Sequence, residues 1–264
     1  MDKTKIDWAD ATWNPVTGCL HGCEYCYARR IAERFGEHEY QKPGHKLIHE
    51  LEFPTAIVGD LDKPAKITPY PYNFEPTFHR YRLDIPAHWK KPRNIFVCSM
   101  ADLFGEWVPD AWIQEVFKAC EEAPQHRYLF LTKNPKRYES YIGDRHVPGN
   151  MWFGWSQTEP LGKGAVFTST HSMNTFVSIE PLLASFTETC IRGIGWVIVG
   201  AETGNRKGKV VPKKDWVDFI SASCAEAGIP IFMKESLRDL MGDDFRQEFP
   251  WETQAVKPDG EAKS

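Results

Sequence analysis

Residues 13–28 read Trp13-Asn14-Pro15-Val16-Thr17-Gly18-Cys19-Leu20-His21-Gly22-Cys23-Glu24-Tyr25-Cys26-Tyr27-Ala28. Three cysteines at the spacing C-x3-C-x2-C fall within eight residues, with an aromatic directly before the third. A plausible first strand precedes the stretch, and a helix-forming run, Ala28–Phe35, follows it. Thiolates are the usual protein ligands of iron–sulfur clusters. Three on one short loop can cap three irons of a cubane, which leaves the fourth iron without a protein ligand.

Such an open iron can bind the amino and carboxylate groups of S-adenosylmethionine and set its sulfonium against the cluster. One electron then cleaves the S–C5′ bond, and the cofactor rather than the protein carries the hard chemistry. The spacing resembles that of the radical S-adenosylmethionine superfamily. The competing reading of the same cysteines is a structural zinc site, with His21 or a distant residue as fourth ligand. Zinc knuckles usually pair C-x2-C with a second ligand pair, and none of that spacing occurs later in the chain.

Outward from this loop, short apolar runs recur: Ile95–Cys98, Tyr128–Leu131, Met151–Trp155, Thr175–Ile179, Trp196–Val199 and Ile229–Met233. Continuous apolar runs of this length fit strands buried on both faces, as in parallel sheets. The stretches between are helix-sized. Asp110–Glu122 places Trp112, Ile113, Val116, Phe117 and Cys120 at helical spacing, with Asp110 as the expected N-cap. Asp215–Ala227 repeats the pattern and stops at Gly228. Strand–helix alternation predicts a parallel α/β fold, and right-handed crossovers let it curl into a barrel.

Residues 40–93 interrupt the alternation with Pro, His, Tyr and charge, and read as an insertion or cap after the first helix. One domain over 1–264 is expected, with 238–264 as a C-terminal extension.

Bulk properties narrow the class. Apolar residues make up 42% of the 264 and charged residues 26%, a composition able to bury a core. The net charge of −4 gives no global basic field. No apolar run approaches the ~20 residues that span a bilayer, and the first ten residues carry no apolar signal core, so no membrane partner and a cytoplasmic location are expected. In a reducing compartment, clustered thiols among seven cysteines read as metal ligands rather than a disulfide framework.

Working residues of parallel α/β folds stand at the carboxyl ends of strands. Those positions here hold Ser99–Asp102, Thr132–Asn134, Ser156 and Gln157, Glu180, Gly200–Gly204, and Lys234 and Glu235. The stretch Gly200–Lys209 is glycine-rich and basic, and can cradle an anion through backbone N–H groups with Arg206, Lys207 or Lys209.

The blocks WNPVTGC (13–19), CYA (26–28), FVCSMADLFGEWVP (96–109), LTKNPKR (131–137), FVSIEPLL (176–183), WVIVGAETGNRKGKVVP (196–212) and IPIFMKESL (229–237) resemble a phage- and prophage-associated three-cysteine-motif family of largely unknown function, placed among radical S-adenosylmethionine proteins. The similarity runs from about Ile6 to Leu237. It implies a partial (β/α)6-type, TIM-like barrel, a 4Fe–4S cluster on Cys19, Cys23 and Cys26, and S-adenosylmethionine as cofactor. It also implies Tyr25 and Tyr27 near the adenine, and Ser99–Asp102 in place of the glycine-rich motif that meets the methionyl amino group. Lys133, Ser156 and Gln157, Glu180 and Glu202 are implied cofactor contacts, Glu180 and Glu202 serving cofactor or substrate. A flavodoxin or ferredoxin would supply electrons.

The family name gives no substrate. A nucleic acid or nucleobase is expected from the phage-type family, the basic loop Arg206–Lys209, and the aromatic and basic insertion (Tyr70, Tyr72, Phe74, Phe78, Arg80, Tyr81, Arg82), since aromatics with Arg or Lys can stack bases and hold phosphates. Radical modification of a peptide or small metabolite is a second enzyme reading. A zinc-stabilised, non-catalytic interaction module is the reading from a different class.

Overall fold

A computed structural model of the chain describes residues 4–36, 48–57, 66–142, 147–160, 173–187 and 193–253. Contacts divide the chain into two compact units, 1–153 and 154–264, where the sequence reading expects one domain. Parts of the 40–93 insertion and of the 238–264 extension, and Cys190, lie outside the described residues.

In the first unit the strands β1 (Ala11–Trp13), β7 (Asn94–Val97), β8 (Arg127–Thr132) and β9 (Met151–Ser156) are neighbours in that order. β1 pairs with β7, and β7 with β8, in parallel. Their side chains are nearly all buried, as apolar runs covered on both faces require. Helix α1 (Tyr27–Phe35) follows the cysteine loop, α2 (Asp110–Glu122) joins β7 to β8, and α3 (Lys136–Ile142) follows β8. Helix α2 buries Trp112, Ile113, Val116, Ala119 and Cys120 along one stripe; its periodicity singles out four of these, with Ala119 buried in addition and Phe117 only half-buried. Its cap falls one residue earlier than expected: Pro109 is extended at φ −62° and ψ 144°, and Asp110 opens the helix, where its carboxylate favours the positive end of the dipole. Phe104, Phe117, Phe130, Tyr138 and Phe153 pack edge-to-face and stacked beneath this layer.

The insertion adds β6 (Thr77–His79) and β3 (His49–Leu51) to β2 (Val16–Thr17), just before Gly18, in a small second sheet of order β2-β6-β3, and forms a pair, β4 (Ala56–Ile57) with β5 (Lys66–Ile67). Most of the aromatics singled out there are turned inward. Phe78, Phe74 and Tyr70 are buried, and Tyr72 stacks on His49 with ring centroids 3.7 Å apart. Arg80 is spent on Glu50, Glu52 and Glu115, and Arg82 on the carbonyls of Asn14 and Pro69 and the Tyr81 hydroxyl. The insertion therefore folds as packing for the cysteine loop, because its apolar rings gain more by burial than by facing water.

In the second unit, β9 is followed in order by β10 (Asn174–Ile179), β11 (Trp196–Val199) and β12 (Ile231–Met233). The pairs β10–β11 and β11–β12 are parallel. Helix α4 (Lys214–Ala227) buries Val217, Ile220 and Cys224 against them and stops at Gly228, whose φ of 66° only glycine adopts without strain. The segment after β12 belongs to this core: Phe249 and Trp251 pack on Trp196, whose indole N–H donates to the Glu248 carbonyl at 2.8 Å. Among the described residues, no helix is long and apolar enough to cross a membrane.

Candidate functional site

The cysteine loop is pinned at its start. Gly18 forms a bridge with Ala101, its N–H donates to the Met100 carbonyl at 2.8 Å, and the Cys19 N–H donates to the Phe74 carbonyl at 3.1 Å. Gly18 has φ +84°, and a Cβ there would run into the backbone carbonyl of Glu75. The loop thus turns at a position that only glycine fits. Cys19, Cys23 and Cys26 are free, half-buried thiols. Cys19 and Cys26 rest on an apolar cluster of Ala28, Ala32, Tyr70, Phe74 and Met100.

Cys26 is the N-cap of α1: its Sγ accepts from the Arg29 amide at 3.4 Å, so the positive end of the helix faces the sulfur. Arg29 also lies 4.9 Å over the Phe74 ring and donates to the Cys19 carbonyl. Burial pushes the Cys19 thiol up to about 12, with Asp102, Cys26 and Cys23 adding to the rise. A thiol so shifted is unfavourable as a bare thiolate and is stabilised by a cationic centre.

Among the described residues, no three His, Cys, Asp or Glu side chains are grouped to hold a single metal ion. The loop offers three thiol donors, with an apolar backing at Cys19 and Cys26 and a helix N-terminus at Cys26.

Beside the loop, at the carboxyl ends of β7 and β8, Asp102 is almost fully buried. One carboxylate oxygen accepts from the Phe104 N–H at 3.0 Å and the Thr132 hydroxyl at 2.7 Å. The other accepts from the Lys133 N–H at 2.9 Å and lies 2.7 Å from His21 Nε2. Four partners occupy the carboxylate, so its acceptor sites are filled by the protein itself. Lys133 Nζ donates to the Tyr25 hydroxyl at 3.0 Å and lies 5.4 Å from that ring's centroid. The Tyr27 hydroxyl donates to the Ser99 carbonyl at 2.8 Å, and the Ser99 hydroxyl to Asn14 Oδ1 at 3.2 Å. Five of the expected site residues besides the cysteines therefore fall into two hydrogen-bonded groups, Asp102, Lys133 and Tyr25 in one and Tyr27 and Ser99, with Asn14, in the other. Cys98, directly before it, is fully buried at φ 57°, its thiol pushed up to about 12 by burial.

The remaining expected residues belong to the second unit. Ser156 ends β9, half-buried, and the Gln157 N–H donates to the Ser178 carbonyl at 2.9 Å. Glu180, Gly200 and Lys234 follow the last residues of β10, β11 and β12 in one row, since Ile179 pairs with Val199 and Val199 with Met233. Glu180 and Lys234 form an ion pair across that row. A Cβ on Gly200 would stand 2.9 Å from Lys234 Cδ and 3.3 Å from Glu180 Cγ, so the central glycine makes room for the pair. Lys234 stands at a strand end that the sequence marks, but its pairing with Glu180 is not legible there, since the two lie 54 residues apart.

Glu202 is buried and binds Arg206 through both oxygens, at 2.7 and 2.8 Å. The guanidinium holds the Glu202 carboxyl below its ordinary range. Glu202 thereby anchors its own loop.

A family model described as "Protein of unknown function (DUF5131)" matches residues 3–240. No curated protein matches the sequence. Among solved structures, the chain is similar to one titled "Spore photoproduct lyase complexed with dinucleoside spore photoproduct". The TM-score is 0.51 at 12% identity, over 87% of this chain and 79% of that one. At that identity the likeness is one of fold.

Proposed function

The chain belongs to the DUF5131 family of proteins of unknown function, and from its cysteine loop we propose that it is a radical S-adenosylmethionine enzyme acting on a nucleic acid or nucleobase. The observation that carries the reading is the loop Cys19–Cys26: three free thiols backed by an apolar cluster, set beside the Lys133–Tyr25 pair at the carboxyl ends of parallel strands. The fold is read as a partial (β/α)6-type barrel of the radical S-adenosylmethionine kind, in keeping with the fold likeness to the lyase.

Cys19, Cys23 and Cys26 would hold the cluster. When bound, a 4Fe–4S cluster supplies one electron that cleaves S-adenosylmethionine to a 5′-deoxyadenosyl radical. The protein's own work is positioning. Lys133 offers an ammonium to the methionyl carboxylate and orients Tyr25, whose ring supplies a face for the adenine. Tyr27 and Ser99 fix the adjoining strand end, and Ser156, Gln157 and the Glu180–Lys234 pair offer hydrogen bonds to ribose or substrate. Asp102 and Glu202 act by holding loops, since their oxygens are already taken. The apolar cluster under Cys19 and Cys26 keeps water from the sulfurs. The electron comes from a flavodoxin or ferredoxin. A nucleobase substrate accords with the lyase of like fold, whose structure holds a dinucleoside.

The test is anaerobic purification, reconstitution with iron and sulfide, and an assay for 5′-deoxyadenosine with S-adenosylmethionine and dithionite. The reading expects about four irons per chain and cluster-dependent product, both lost in Cys23→Ala while the fold persists. Stoichiometric zinc in iron-replete protein, or product from Cys23→Ala, overturns it.

A further inference from the structure

The segment from Thr203 to Lys213 carries four cations and no carboxylate, in a chain whose net charge is −4. It leaves the carboxyl end of β11, the side of a parallel sheet where ligands bind. The structure divides those cations by use. Arg206 is neutralised by the buried Glu202 and also donates to the Gly208 carbonyl at 3.4 Å. The Lys209 N–H closes a turn on the Arg206 carbonyl at 3.2 Å, and Lys209 Nζ reaches the Gly204 carbonyl at 3.2 Å. Pro212 is buried and fastens the far end. Lys214, just beyond, is paired with Asp218 and Asp244. Lys207, Lys209 and Lys213 remain exposed, with no acidic residue among residues 203–213.

We infer that this loop, folded around the Glu202–Arg206 pair, is a preformed docking surface for the phosphates of a single-stranded nucleic acid. The inference rests on the proposed action on a nucleobase, and names the part of the chain that would hold the strand. Glu202 fixes the loop before the partner arrives, so less ordering entropy is lost on binding. The three lysines then release counterions from the phosphate backbone, a sequence-independent attraction. A single strand is favoured because chemistry on a base needs it out of the duplex stack. An anionic membrane is a poorer fit: Val211 is the loop's one exposed large apolar side chain, and interfacial segments need an apolar face.

The test is fluorescence anisotropy of the full-length protein with a labelled 20-mer of oligo-dT, between about 50 and 200 mM salt. Three phosphate contacts on a single strand predict a slope of log affinity on log salt of about −2. Replacing Lys207, Lys209 and Lys213 with Ala is expected to flatten that slope and cost at least about tenfold in affinity at the low-salt end. Glu202→Gln frees Arg206 and makes the protein one charge more positive; it is expected to bind more weakly, because the loop loses its anchor. Tighter binding by Glu202→Gln, or a triple variant that binds like the parent, overturns the proposal. So does lysine-dependent capture of phosphatidylserine vesicles without oligonucleotide binding. Cluster-dependent 5′-deoxyadenosine with no oligonucleotide binding removes this surface and leaves the reaction class standing. Lysine-dependent binding with no 5′-deoxyadenosine does the reverse.

Discussion

Asp102 and His21, 81 residues apart in the chain, meet at 2.7 Å, and through that contact the middle of the cysteine loop is tied to the ends of two strands. The same carboxylate holds Thr132, the Lys133 N–H and the Phe104 N–H. Asp102 is thus a hub between the loop that would carry the cluster and the strand end that presents Lys133 to Tyr25. Hydrogen bonds that orient ligands govern metal retention nearly as strongly as the ligands themselves.

Asp102→Asn replaces one accepting oxygen with a donating NH2 against groups that already donate. It is expected to cost about 2–3 kcal/mol in urea unfolding and to lower the iron retained after desalting in the presence of chelator. His21→Ala removes only the strap to the loop, so it should lose iron similarly with a smaller loss of stability. Full iron retention in both variants would refute the hub.

Gly18→Ala sets a methyl group against the Glu75 carbonyl at a backbone angle that alanine resists. The expected loss is about 3 kcal/mol in denaturant unfolding. Because Gly18 precedes Cys19, iron content should fall as well. An unchanged unfolding midpoint would mean that the loop relaxes without cost.

Lys133→Met keeps the length of the side chain and deletes its charge. With iron content unchanged, affinity for S-adenosylmethionine is expected to drop about tenfold or more, the scale of one charge-assisted hydrogen bond. Equilibrium dialysis of the reconstituted protein reads this directly. An unaltered affinity would leave Lys133 as a support for Tyr25 alone.

His79 is fully buried, sharing hydrogen bonds with the Thr17 and Tyr81 hydroxyls. Burial, aided by Arg82, lowers its pKa to about 2. In the unfolded chain an imidazole titrates near ~6.5. Below that pH the unfolded state takes up a proton that the folded state refuses, so stability falls as pH drops through about 6.5 toward 2. From about pH 7.5 to 5.5 this one residue accounts for about 1.4 kcal/mol. His79→Gln, which cannot protonate, should show a correspondingly shallower loss between those two pH values in urea unfolding. Equal losses in parent and variant would place the proton uptake elsewhere.

Much of the fold was legible in the sequence because it is written in local pattern. Apolar runs of four or five residues mark β7 to β12 within two residues of their bounds, since a strand covered on both faces has few polar positions to interrupt it. Helix α2 was legible over its whole length from the spacing of its buried stripe. The short helix α3, Lys-Arg-Tyr-Glu-Ser-Tyr-Ile, passed unnoticed, because seven residues give too few turns for a period to show. The Glu202–Arg206 pair lies four residues apart and was readable in principle, yet nothing local says that Glu202 is buried.

The sequence alone determined which residue types stand where: three cysteines on one loop, a helix ready to begin at the third, and polar groups after each buried strand. Only the tertiary structure decided what those groups do. It turned most of the insertion's aromatics inward, filled Asp102 with four partners, set Glu180 against Lys234 across a glycine, and spent Arg206 while leaving three lysines exposed. The physical reason is that periodicity and chain propensity are properties of neighbours in sequence. Which donor satisfies a buried carboxylate depends instead on groups that only folding brings within hydrogen-bond distance.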